Sequence, residues 1–162
     1  MEELQSLFQV RHATHDDIYS ILSITKEAFT KYEELAGVCG IDALSETYED
    51  VKNDIDNKVV LIAIQDGAPV GSVRVEIDEE NKTAYLSRFA VKVTSQNNGI
   101  GKSIMNLVDR IMRKRGVKSI TLHTGSKITS LIRFYYGRGF YIDSIDKSRG
   151  YVRALLKKDY ID

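Results

Sequence analysis

The chain has 162 residues, 43% of them apolar and 28% charged, which fits one globular domain with its own core. Its 23 basic and 23 acidic residues cancel, which argues against a general nucleic-acid binder, and no apolar run approaches the roughly 20 residues of a membrane span. The acidic start Met1-Glu2-Glu3-Leu4 lacks an export pattern and the single Cys39 cannot form an internal disulfide, so the cytoplasm is the expected compartment. The charge is unevenly spread. Residues 14–58 hold 11 Asp/Glu against 4 Lys, whereas residues 88–118 hold 8 Lys/Arg against Asp109 alone. Two readings are open: solvated helix faces, or a basic half facing an anionic ligand and an acidic half facing a cationic one.

Residues 8–11 read as a short strand. Thr14 then reads as a helix N-cap, with Asp16 and Asp17 in the first turn. Ile18, Ile21, Leu22, Thr25, Ala28 and Phe29 form one helical stripe. His12 and His15 straddle that helix start with no third ligand near, so no metal site is expected. Residues 30–41 read as a loop, and a second helix is predicted over 43–56, capped by Asp42. Residues 59–65 form a continuous apolar run, a buried strand. After the turn Asp66-Gly67-Ala68-Pro69, residues 70–77 alternate, with Val73, Val75 and Ile77 on one face and Arg74 and Glu76 on the other. A third strand is predicted over 83–93, giving an antiparallel meander.

Between that strand and the next helix lies Gln96-Asn97-Asn98-Gly99-Ile100-Gly101-Lys102-Ser103. Two glycines within three residues admit a ligand close to the backbone, and the helix behind them aims its free N–H groups and its positive dipole end at the loop. Such a mouth suits a phosphate or pyrophosphate. It is not a Walker A loop, because Gln96 stands where the first Gly is required, and it lacks the third glycine of a dinucleotide fingerprint. The helix from Ile100 carries Ile104, Leu107, Val108, Ile111 and Met112 on one stripe, and Gly116 ends it. A strand over 117–124, a helix over 127–137 and strands over 140–144 and 151–157 complete the chain. Strand, helix, strand, helix in this half implies parallel pairing.

Near the end stands Tyr135-Tyr136-Gly137-Arg138-Gly139-Phe140. The opening Arg11-His12-Ala13-Thr14-x-x-Asp17, the Gln-x-x-Gly-x-Gly loop and this Tyr-x-x-x-Gly-Phe ending occur in one order over residues 8–157. In that order they resemble the GNAT superfamily of acetyl-CoA-dependent N-acetyltransferases. The resemblance implies a single-domain α/β (α+β type) fold. It has a mixed six- to seven-stranded sheet, antiparallel in its first half and splayed at a parallel pair by the cofactor, with helices on both faces. It implies transfer of an acetyl group from acetyl-CoA to a primary amine of a small molecule or peptide, by direct attack. The acidic first third suggests a cationic acceptor, and no nucleic acid, membrane or metal is expected to take part. The protein would work as a monomer or homodimer.

The same resemblance places the cofactor on Ala90, Val91, Lys92 and Val93, as a strand edge for the pantetheine amides, and on Gln96, Asn97, Asn98, Gly99, Ile100, Gly101, Lys102 and Ser103. A backbone N–H near Val91 would steady the thioester oxygen. Tyr135 would stabilise the leaving thiolate. A thiol of pKa about 8.5 and a phenol of about 10 make full proton donation uphill by roughly 2 kcal/mol, so a hydrogen bond is the expected form of help. Tyr32, Glu33, Glu34 and Tyr48 are candidates to touch the acceptor. The strand glutamate that some members use as base is replaced here by Tyr85, and Ile128 stands where an Asn is common. Glu76 is then the nearest strand carboxylate and the candidate base. The missing glutamate also leaves room for a non-catalytic acyl-CoA-binding module of the same fold.

Overall fold

A computed structural model describes residues 8–96 and 98–161. Seven strands form one sheet in the order β1-β2-β3-β4-β5-β7-β6: β1 Phe8–His12, β2 Val59–Gln65, β3 Ala68–Asp78, β4 Thr83–Val91, β5 Ser119–Gly125, β6 Tyr141–Asp146 and β7 Arg153–Asp159. The first four pair antiparallel, as the tight turns of β2–β3 and β3–β4 require and as β1 does across the two helices. Only β4 and β5 run parallel, and β5–β7 and β7–β6 return to antiparallel pairing. The second half is therefore less parallel than its alternation of strands and helices implied.

Helices cover both faces. One face carries α1 Ile18–Ala36 and α2 Tyr48–Asn57, the other α3 Ile100–Lys114 and α4 Thr129–Gly137. The β2 alternation divides the core between them. Val60 and Ile62 pack with Ile18, Ile21 and Val51, while Leu61 and Ala63 pack with Val73, Val75, Ile104, Met105, Val108 and Met112. Thr14 caps the first helical turn through a box closed by Asp17, whose carboxylate also holds Arg11 at 2.8 Å.

The predicted loop over 30–41 is mostly helix, since α1 runs on to Ala36 and stops at Gly37 in the left-handed conformation. The second helix starts later than expected. Asp42–Ser45 is a short 3-10 turn, and Thr47 caps α2 with its side chain on the Asp50 N–H. Strand β4 ends at Val91, and Val93–Ser95 is another 3-10 turn.

One buried polar cluster lies under α1 and α2. Arg74, on the strand face opposite Val73 and Val75, is 0% exposed. Its guanidinium meets Glu46 in a two-pronged pair, Asp54 at 3.0 Å and the Thr25 hydroxyl at 3.5 Å. The Glu46 carboxylate also lies 3.3 Å from Arg88 Nε.

Candidate active site

Arg88 sits in a β-bulge. Ser87 pairs with Arg74 and Ala90 with Ser72, so β4 spends one residue more than β3 across this step. The Arg88 backbone takes φ 52, which few L-residues adopt. The extra residue swaps the parity of the strand. Ala84 and Leu86 face α3 before the bulge, and Phe89 and Val91 face it afterwards, while Arg88 turns to Glu46 on the opposite side.

Parallel pairing of β4 with β5 stops at Tyr85 opposite Thr121. Beyond it the two strands part, and a cavity of about 920 Å³ passes between them, lined from both faces of the sheet. The Lys92 N–H donates to the Val70 carbonyl at 2.8 Å, so the alternating Val91 amide is turned away from β3 and into the splay. The Val91 carbonyl on that edge accepts from Gln96 Nε2 at 3.2 Å, which fastens the following loop to the strand.

On the α3 side the cavity meets the helix mouth. Gly99 takes φ 79 and no side chain among the described residues caps the helix, whose first backbone bond runs from the Ser103 N–H to the Gly99 carbonyl at 3.0 Å. The N–H groups of Ile100, Gly101 and Lys102 therefore have no acceptor within the helix. A Cβ added at Gly99 would meet nothing within 4 Å, so the mouth is open. A Cβ at Gly101 would lie 3.0 Å from Phe89 Cζ and 3.3 Å from Phe134 Cζ, so this glycine lets the helix approach a stacked pair of rings 5.4 Å apart. Lys102, Arg133 and Arg138 line this end. Free amides, an unfilled glycine and three cations fit a pyrophosphate.

Tyr135 lies at the waist, 5% exposed, edge-on to Phe89, Phe134 and Phe140. Its hydroxyl has no hydrogen-bond partner among the described residues, and burial pushes its pKa well above the usual phenol value. It is therefore a neutral O–H donor.

The α1 side is different. Tyr85, Thr121 and His123 share this face, and the Tyr85 hydroxyl lies 2.7 Å from His123 Nδ1. Burial, then repulsion from Arg153, lowers the His123 pKa; Asp146 opposes, and Arg149 adds a smaller lowering, so the neutral imidazole is favoured. Burial raises the Tyr85 pKa, against Arg153, Arg149 and Arg88. Tyr32 on α1 bonds the Tyr151 hydroxyl at 2.8 Å and accepts the Gly125 N–H at 2.9 Å, which ties the segment between β6 and β7 to α1.

Residues 18–140 match the acetyltransferase (GNAT) family. The chain belongs to this family. It is an acetyltransferase that moves the acetyl group of acetyl-CoA to an amine. Among its relatives, the uncharacterized protein YyaT of Bacillus subtilis (strain 168) is 24% identical over 134 residues, 83% of this chain and 82% of that protein. The fold is similar to that of the PaiA N-acetyltransferase of Thermoplasma acidophilum in complex with coenzyme A. There the TM-score is 0.83 and the identity 20%, over 95% of this chain and 99% of that one. It is also similar to the ribosomal-protein-S18-alanine N-acetyltransferase of Escherichia coli, with TM-score 0.76 and 14% identity over 94% of each chain.

The acetyltransferase cavity takes in Ala90, Val91, Gln96, Gly99, Gly101, Lys102, Tyr32 and Tyr135 of the expected residues. Others need correction. The Ser103 N–H is used inside α3, and that of Lys92 within the sheet, so neither is free for a ligand. Val93 is in a 3-10 turn outside the lining, and Ile100 buries its side chain in the core, leaving only its N–H. Asn98 is exposed and outside the lining, and Asn97 lies outside the described residues. Glu76 also lies outside. It is exposed, 3.9 Å from Lys58, and stands opposite Tyr85 across the β3–β4 pair. Glu33 caps the Ile41 N–H at 3.1 Å, Glu34 pairs with Lys31 at 3.6 Å, and Tyr48 stacks on Tyr19 at 5.2 Å. None of these three lines the cavity.

Sequence reasoning missed His123, Tyr151, Arg149 and Arg153. The clue for His123 was present, since Tyr85 already stood in the place of the family's base and an alternating strand puts His123 on its face. Nothing in the sequence joins Tyr32 to Tyr151, 119 positions away. Among the described residues no cluster suits a metal ion, and no helix is long and apolar enough to cross a membrane.

Proposed function

We propose that the acetyl donor lies along the α3 side of the splay, and that a small-molecule or peptidic amine, met in the cytoplasm, enters from the α1 side. The observation that carries this reading is the Val91 amide. It faces the gap between the strands, with the open helix mouth on one side and the Tyr85–His123 pair on the other.

The free N–H groups of Ile100, Gly101 and Lys102 would hold the pyrophosphate, with Lys102, Arg133 and Arg138 adding charge. Bound acetyl-CoA supplies the acetyl thioester. The Val91 N–H donates to the carbonyl oxygen as it gains charge. An alkyl amine of pKa about 10 arrives as ammonium and must lose a proton before it attacks. His123, neutral and held by Tyr85, takes that proton directly or through water. The C–N bond then forms and the C–S bond breaks. Tyr135 donates its O–H to the departing thiolate. The second nitrogen proton ends on the thiol and the first passes through His123 to solvent. The exposed Cys39 lines the cavity, but no described histidine or carboxylate bonds it, so direct attack by the amine is preferred.

The test is release of free thiol from acetyl-CoA as amines are added, run beside thermal melting. Acetyl-CoA should raise the melting temperature. Thiol release should fall at least tenfold in His123→Gln. A full rate in that variant would remove His123 from the reaction, and no thermal shift would remove the cofactor site.

A further inference from the structure

The acidic first third suggested a cationic acceptor, yet its carboxylates do not face the cavity. Asp17 holds Arg11, Glu46 and Asp54 hold Arg74, and Asp56 holds His15. Of all the acidic residues described, Asp42 alone lines the cavity, and its side chain is 79% exposed at the rim. The lining of the α1 end is instead cationic, with Lys31, Arg88, Arg149 and Arg153.

The arginines converge from different parts of the chain. Arg88 comes from the β4 bulge and Arg149 from the segment between β6 and β7. Arg153 heads β7 opposite Gly125, on the His123 face of the sheet. Arg149 reaches Asp42 only at 3.5 Å, with both groups exposed, so a ligand can take that guanidinium at little cost. Arg153 meets Asp146 through Nη2, while its Nε is buried without an acceptor. The Tyr32–Tyr151 bond holds the Arg149 segment over this end. A second ammonium brought here would meet like charges in a half-buried setting, whereas an oxyanion would be paired.

We propose that the acceptor is an amine that also carries a carboxylate, and that Arg149 and Arg153 hold the carboxylate while the nitrogen faces the Tyr85–His123 pair. This deepens the acetyl-transfer reading and rests on it. The same cations lower the pKa of an amine placed among them, which helps it lose its proton before attack. Specificity and reactivity then share one set of charges.

The experiment compares matched acceptors by thiol release: 4-aminobutanoate against 1,4-diaminobutane, and L-phenylalanine against L-phenylalaninamide. The carboxylate member of each pair should have the lower KM, on the order of ten- to a hundredfold, the range for charge-assisted hydrogen bonds. Arg149→Gln, at an exposed position, should raise KM for the carboxylate members by roughly tenfold and shrink the gap between pair members. Arg153→Lys keeps the charge but loses the planar fork, and should do the same in part. Equal KM values within each pair, or preference for the diamine, would overturn the proposal while leaving acetyl transfer intact. Failure of acetyl-CoA to raise the melting temperature would bring down the acetyl-transfer reading and this proposal with it.

Discussion

The buried Glu46–Arg74 pair gives the sharpest test of how the fold holds its cavity. Arg74 is wholly buried, and the Glu46 side chain is only 8% exposed. Truncation of Glu46 to Ala leaves one guanidinium in the core with Asp54 alone, and strips Arg88 of its near carboxylate. Breaking a buried ion pair from one side costs about 3–5 kcal/mol. Asp54 at 3.0 Å still offers half the compensation, so the lower figure of about 3 kcal/mol is expected. At roughly 2–4 °C per kcal/mol for a chain of this size, the melting temperature should fall by about 6–12 °C. Circular dichroism melting measures it. A fall of less than about 2 °C would refute the reasoning. The double substitution Glu46→Leu with Arg74→Met removes both charges and should recover most of the stability. It should not recover acetyl transfer, because Arg88 and its bulge remain without their carboxylate.

Four more outcomes follow from the cavity. Gly99→Glu should abolish acetyl-CoA binding measured by calorimetry, since a carboxylate would enter the open helix mouth. Gly101→Ala should weaken binding and cost about 1–3 kcal/mol of stability, because its Cβ would stand 3.0 Å from Phe89 Cζ. Tyr135→Phe should lower kcat by roughly 10- to 100-fold through loss of a hydrogen bond to a charged sulfur. It should hardly move the melting temperature, since the hydroxyl has no partner among the described residues, and an unchanged kcat would return Tyr135 to packing alone. The His123 pKa is depressed in the fold, so protonation disfavours both activity and folding. The acid limb of kcat/KM should fall at a pH below the ordinary imidazole value of about 6.5 and vanish in His123→Gln. The stability that the neutral imidazole contributes is whole above that ordinary value and is lost as pH falls through the lowered one.

Most of the frame was legible because its signals are local. The α3 stripe, the apolar run of β2 and the turn at Asp66-Gly67 each declare themselves within one element, and α3 begins at Ile100 as read. The errors arose where tertiary packing overrode a local cue. Gly37 and Gly40 suggested a loop from residue 30, but Phe29 and Tyr32 extend the apolar stripe, so α1 continues until Gly37 stops it. Asp42 offered a cap, but Thr47 makes the better one, with a reciprocal box to Asp50. The alternation of β3 put Arg74 on the face opposite Val73 and Val75, without telling what covers it. It does point away from the α3 core, but α1 and α2 cover that side too.

The charge pattern misled for a related reason, which also explains how the site is built. Sequence-level charge counts where carboxylates are, not where they point. In this chain Glu46, just ahead of α2, and Asp54 on α2 are spent on fixing the sheet: Glu46 reaches both Arg74 and Arg88, and so joins that segment to the bulge. The bulge changes which residues face which helix. It places Arg88 beside Tyr85 on the acceptor side, while Phe89 and Val91 turn to the cofactor side. Without that extra residue, Arg88 would point into the α3 core and Phe89 would leave Phe134. The Glu46 carboxylate thus braces the bulge that sets the parity of the strand on which the chemistry depends. On this reasoning, deleting one residue at the bulge should cost acetyl transfer more completely than losing any single side chain of the cavity.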